Sequence, residues 1–155
     1  SLSQAKREGL LGLCFVDPFR MDLDFSVIRA LSQYRMDFLV MLPLGFDLRR
    51  NLRRYLDENR DDQVGAMIDD RNWRKEWTSR DQSERYFIRF FVDKFDTAME
   101  RLGFRRRKIE DTHSVTVTGM GVYLYSLALY TRHELGEQFW KTTLKETDPQ
   151  TWLSF

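Results

Sequence analysis

Asp17 is the first residue whose type and position could carry chemistry. It ends the run Leu10-Leu11-Gly12-Leu13-Cys14-Phe15-Val16 and is followed by Pro18 and Phe19. Successive side chains of a strand point to opposite faces. A run that is apolar at both parities therefore predicts a strand covered on both sides, as in a parallel sheet between helices. Pro18 keeps the strand from continuing. An acid at that point stands on the carboxyl edge of an open α/β sheet, where ligands bind. The competing role is local: Asp and Pro are ordinary turn residues, and Asp17 could simply cap the turn.

Two basic clusters are the next candidates. Arg49, Arg50, Arg53 and Arg54, and separately Arg105, Arg106, Arg107 and Lys108, could hold phosphates, each contact making binding salt-sensitive. Against this, the first cluster is closely followed by Asp57, Glu58, Asp61 and Asp62, which can pair with a solvated helix face. The second falls where an edge strand is expected, and charges there commonly block edge pairing. His113 and His133 have no Cys or carboxylate at ligand spacing, so no metal site is expected. Ser114 and Ser126 lack the strand-turn-helix setting of a nucleophile elbow. Trp73 and Trp77, four residues apart, could stack on a ligand or a partner, or could pack in the core. Cys14, inside the apolar run, reads as a small buried hydrophobe rather than a nucleophile.

These residues must be positioned by an alternation of strands and helices. Phe25 to Tyr34 places apolar residues at helical spacing behind Asp24, a suitable N-cap. Met36 to Pro43 repeats the opening pattern, so strand, helix and strand should form a right-handed βαβ unit with its two strands adjacent and parallel. After a loop at Leu44 to Phe46, Asp47 reads as the cap of a helix to about Asn59, with Leu48, Leu52, Tyr55 and Leu56 on its inner face. Residues 60–83 read as irregular or broken helix. The clearest helix is Glu84 to Leu102, its phenylalanines recurring at three- and four-residue steps, with Gly103 as its stop. Phe104 to Glu110 with Ser114 to Thr118 reads as one interrupted strand. Gly119 to Gly121 then turns into a second, Val122 to Tyr130, and the two should pair antiparallel. Leu135, Phe139, Trp140 and Leu144 form a closing amphipathic helix, and the tail to Phe155 carries Trp152, Leu153 and Phe155, which need somewhere to dock.

The expected fold is therefore α/β, one domain over 1–155, with a mixed sheet of about four strands, two parallel and then an antiparallel pair, flanked by helices. With 25 basic and 24 acidic residues the net charge is +1, which argues against a generic polyanion binder while leaving local basic sites open. A single cysteine allows no internal disulfide, so a reducing, cytoplasmic setting is the default. No apolar run approaches the roughly 20 residues of a membrane helix, and residues 1–9 contain no signal-peptide core.

The blocks Leu13-Cys14-Phe15-Val16-Asp17-Pro18-Phe19, Asp37 to Pro43, Arg50-Asn51-Leu52, and Tyr123 to Gly136 with Phe139-Trp140 resemble the three-Cys-motif partner proteins, TcmP. That family is similar to class I S-adenosylmethionine-dependent methyltransferases, and the resemblance implies that these blocks form the later half of such a domain. Asp17-Pro18-Phe19 is similar to the Asp-Pro-Pro-Tyr or Phe signature of amino-methyltransferases. It implies a catalytic site at Asp17, Pro18 and Phe19, where an acid and a backbone carbonyl hold a target amine and an aromatic ring stacks on a flipped base. Substrate contacts would fall at Arg20, Pro43, Arg50 and Asn51. The sequence departs from this pattern twice. The second proline of the signature is absent, and Arg20 stands where the resemblance leads one to expect glycine, a bulky cation that would crowd a substrate mouth or bind something anionic.

A glycine-rich turn and an acid-ended second strand, which would hold the cofactor, are also absent. Gly119-Met120-Gly121 has neither the third glycine nor a following helix. S-adenosylmethionine is thus expected only together with an amino-terminal half outside this sequence, and no cofactor-binding residue is assigned. Without that half the first strand would present a hydrophobic edge, which predicts a homo-oligomer or a partner completing the sheet. Two functions remain open: a methyltransferase acting on an amine, for which nucleic acid is a candidate substrate, and a non-catalytic partner of a three-cysteine protein that carries metal or radical chemistry.

Overall fold

The apolar runs form the strands. β1 (Gly12–Val16) pairs in parallel with β2 (Met36–Leu42), Gly12 opposite Met36 and Val16 opposite Val40. α1 (Phe25–Leu31) makes the crossover, opened by Asp24, whose carboxylate accepts the Ser26 N–H at 2.8 Å. β4 (Val122–Tyr130) runs antiparallel to β2, with Phe38 opposite Tyr130, and β3 (His113–Val117) runs antiparallel to β4, with a register shift between Val115 and Thr116. The sheet order is β1-β2-β4-β3. This computed structural model describes residues 12–18, 20–80, 83, 86–107, 112–117 and 122–146, apart from the side chains of 46, 116, 117, 122 and 123. The turn expected at 119–121 and the tail from 147 lie outside the described residues.

One face of the sheet carries the core. Phe38, Val40 and Leu42 of β2 and Ala128 and Tyr130 of β4 are fully buried on it. Against them lie α1 and α5 (Phe87–Arg101), joined by an edge-to-face contact of Phe25 with Phe95 at 5.8 Å and by Phe95 with Tyr130 at 5.6 Å. α5 ends as its sequence predicts. Gly103 takes φ +86°, its N–H bonds to the Glu100 carbonyl and the Phe104 N–H to the Met99 carbonyl, so the last turn's orphan acceptors are satisfied. α6 (Glu134–Glu146) lies on the opposite face, where its Trp140 and Leu129 of β4 line one small cavity.

Three expectations change. β1 is an edge strand of the described sheet, and Leu13 and Phe15 are 63% and 55% exposed, so only Cys14 and Val16 of this strand pack on the core. The closing helix buries Trp140 alone, leaving Leu135 and Phe139 77% and 70% exposed. Arg105 to Arg107 belong to no strand: the Arg105 N–H donates to the Thr131 carbonyl at 2.9 Å without a ladder following, and the three side chains bond to acids on helices.

Residues 60–83 contain two short helices, α3 (Gln63–Ile68) and α4 (Trp73–Ser79), after the equally short α2 (Leu52–Leu56). Trp73 and Trp77 are core residues, packed edge-on against Phe87 at 5.4 and 5.0 Å. Asp62 holds this region together: its carboxylate accepts the Gly65 N–H at 3.1 Å and the Trp73 indole N–H at 2.7 Å, and meets Arg74 at 3.2 Å. A Cβ on Gly65 would lie 2.1 Å from the Asp62 Oδ2. Gly65→Ala therefore loses about 1–3 kcal/mol through the displaced cap and the orphaned indole N–H, despite alanine's better helix propensity. Urea denaturation checks this, and the same change in an Asp62→Ala background, where the clash is gone, should be neutral or stabilising.

Candidate functional site

The site is built where β1 and β2 end. Pro43 opens a π-helical turn at Leu44–Leu48, in which the Leu48 N–H donates to the Pro43 carbonyl at 3.1 Å and the Arg49 N–H to the Leu44 carbonyl at 3.0 Å. Such single turns are uncommon and concentrate at functional sites. Here the wider turn carries Asp47 inward, leaving it 5% exposed. A buried carboxylate needs donors, and Asp47 has three: the Met21 backbone N–H at 2.8 Å, the Tyr55 hydroxyl at 2.7 Å and the Asn51 side-chain amide at 2.5 Å. Asp47 therefore does not cap a helix. It clamps the loop after β1 to the segment after β2, joining residues 26 apart in sequence. Burial, with Asp47 accepting the hydroxyl hydrogen, pushes the Tyr55 phenol well above its ordinary value.

Around this clamp a cleft of about 400 Å³ is framed by Arg20, Asp47, Arg50, Asn51, Arg54 and Tyr55. Three of the four residues expected to touch substrate, Arg20, Arg50 and Asn51, thus come together. Pro43 does not line the cleft; it is buried, and its carbonyl starts the π turn. Asp17 is exposed just after β1, Pro18 is buried, and Phe19 lies outside the described residues. Sequence reasoning makes Arg54 an exposed helix-face cation and Tyr55 a core residue, as both are, and misses that both also line the cleft. The spacing Asp47, Asn51, Tyr55, one helical turn at each step, is the signal that three hydrogen-bonding groups share one side. Two acids expected to neutralise the arginines serve other cations: Asp57 pairs with Arg60 at 3.4 Å and Asp62 with Arg74 at 3.2 Å.

The three arginines of the second basic cluster are structural, and Lys108 lies outside the described residues. Arg105 pairs with Glu137 at 2.7 Å, Arg106 with Glu100 at 2.6 Å and with Asp93, and Arg107 with Asp96 at 2.7 Å. The last pair is buried, with the Tyr130 hydroxyl also donating to Asp96 at 2.7 Å. Burial raises the Asp96 carboxyl above its ordinary value, although Arg107 and Tyr130 oppose this. A larger cleft of about 610 Å³ beside α5 is lined by Arg80, Arg89, Asp93, Asp96, Arg106 and Arg107, and three of these arginines are ion-paired: Arg80 with Glu76, Arg106 with Glu100 and Asp93, and Arg107 with Asp96.

His113 lies on β3 and His133 just before α6, and among the described residues no three His, Cys, Asp or Glu side chains could hold a metal ion. Burial raises the Cys14 thiol, which suits packing and not nucleophilic attack. Among the described residues the only glycine at positive φ is Gly103, which ends α5, so no tight glycine turn follows a strand there. No helix among the described residues is long and apolar enough to cross a membrane. No family model, no curated protein and no solved structure matches this chain.

Proposed function

We propose that this chain is the target-binding part of a methyltransferase-like domain that acts on an amine, a nucleobase amine above all, with Asp17 as the group that orients it. The observation carrying this reading is the position of Asp17: exposed at the carboxyl end of a parallel strand, on a loop that Asp47 pins beside a polar cleft. Ligands of open α/β sheets bind at that edge. An amine becomes a nucleophile only when its lone pair faces the acceptor, and a carboxylate accepting its N–H hydrogens turns the lone pair away from itself. Positioning of this kind lowers a barrier without covalent participation by the protein. The methyl donor would be held by residues other than those described. The strand pattern, a parallel pair followed by an antiparallel pair, supports the resemblance to the later half of a class I methyltransferase.

A second reading has its own observation. Leu13 and Phe15 on edge strand β1, and Leu135 and Phe139 on α6, leave large apolar side chains in water, which favours a non-catalytic partner of a three-cysteine protein. Calorimetric titration of S-adenosylmethionine into the full-length gene product separates the two. The methyltransferase reading expects binding, followed by methyl transfer to amine-bearing oligonucleotides that is lost in Asp17→Ala. No binding would contradict it and leave the partner reading.

A further inference from the structure

We infer that the cleft framed by Arg20, Arg50 and Arg54 binds successive phosphodiesters of a single-stranded nucleic acid, holding the strand so that an adjoining base presents its amine to Asp17. This rests on the amine-orienting reading and names its substrate class. Three guanidinium groups and a single carboxylate line the cleft, one cation for each of three phosphate contacts. The carboxylate does not compete for the ligand's place, because Asp47 already accepts from Met21, Asn51 and Tyr55. Arginine suits a phosphate ligand, because its planar fork matches two phosphate oxygens at once and it is more weakly hydrated than lysine.

The placement also fits. Asp17 and Arg20 are three residues apart, so their Cα atoms lie within about 11 Å of one another. The bond from the Met21 N–H to Asp47 fixes the loop that carries both. A pre-formed loop lowers the ordering cost of binding. A base paired in a duplex must first be flipped out, which costs unpairing and unstacking energy, so an unpaired strand presents its amine to the carboxylate more cheaply.

Fluorescence anisotropy with a labelled single-stranded oligonucleotide tests the assignment. Replacing Arg20, Arg50 and Arg54 together by alanine is expected to weaken binding about tenfold or more and to flatten the salt dependence by about 2, at roughly 0.7 per phosphate contact. Alanine at Arg49, Arg53 and Arg71 removes the same charge outside the cleft and should cost less than about threefold. Lysine at the three cleft positions, which keeps the charge, should retain part of the affinity, so a loss that follows charge and position is not mistaken for unfolding. Equal losses from both alanine triples, or no binding by the wild type, would overturn the assignment. Competition by inorganic phosphate or a nucleoside monophosphate as strong as by the unlabelled strand would assign the cleft to a free phosphate ester and overturn it too. Asp17→Ala keeps the two claims apart. If it leaves the preference for amine-bearing bases untouched while the cleft triple still weakens binding, the amine reading fails and the phosphate site stands; the reverse pattern removes the phosphate site alone.

Discussion

Asp47→Ala is expected to lower the unfolding free energy by about 3–5 kcal/mol, because two buried donors lose their acceptor and each such orphan costs roughly 1–3 kcal/mol. The donors are the Met21 N–H and the Tyr55 hydroxyl; the third, on half-buried Asn51, can turn to water. Tyr55→Phe removes only one of these bonds and leaves the carboxylate partnered, so it should cost about 1 kcal/mol. Urea denaturation of the two variants measures the difference. If they were equally destabilised, Asp47 would not be the hub that its three bonds describe. The effect also reaches function, since the loop carrying Arg20 is tied down through Met21 and Asp47→Ala should weaken ligand binding at temperatures where it remains folded.

Arg107→Ala should be comparably damaging, about 3–5 kcal/mol, since it leaves a buried carboxylate without its cation. Arg107 and Asp96 are 5% and 8% exposed, so little solvent screens the pair. The loss carries a pH signature. Burial raises Asp96 above its ordinary 3.8, so the folded state holds this proton more tightly than the unfolded chain does. Stability from this group is therefore fully present below 3.8 and is lost as pH rises through the higher folded value. Removing Arg107 takes away one of the influences opposing that rise, so the variant's deficit should grow from acid toward neutral pH. Asp96→Asn in the Arg107→Ala background should recover much of it. Denaturation midpoints across the acid range decide the matter, and a deficit that does not change with pH would contradict the account.

What the sequence makes legible is what local patterns encode. β1, β2 and β4 follow from apolar runs, α5 from its phenylalanine periodicity, and both Asp24 and Gly103 behave as the terminal signals that their chemistry implies. Asp47 reads locally as a helix cap because an acid shortly after a proline looks like a helix start. The bond that turns it inward comes from Met21, 26 residues away, which no local window contains. Arg105 to Arg107 alternate plausibly with a strand, yet ion pairs to Glu137, Glu100 and Asp96 take them to helices. Leu135 and Phe139 have the spacing of a buried stripe, and the structure gives that role to Trp140 instead. Within the site, Arg20, Arg50 and Asn51 follow from the resemblance, whereas Arg54 and Tyr55 join them only because the π turn and α2 present them to the same cleft.

The most direct test of a functional cleft at the carboxyl ends of β1 and β2 is amide chemical-shift mapping by NMR as a single-stranded oligonucleotide is added. The account predicts that the shifts concentrate at residues 17–21 and 47–55. Shifts confined instead to the arginine-lined cleft beside α5, around residues 86–107, would place the ligand site elsewhere and contradict it.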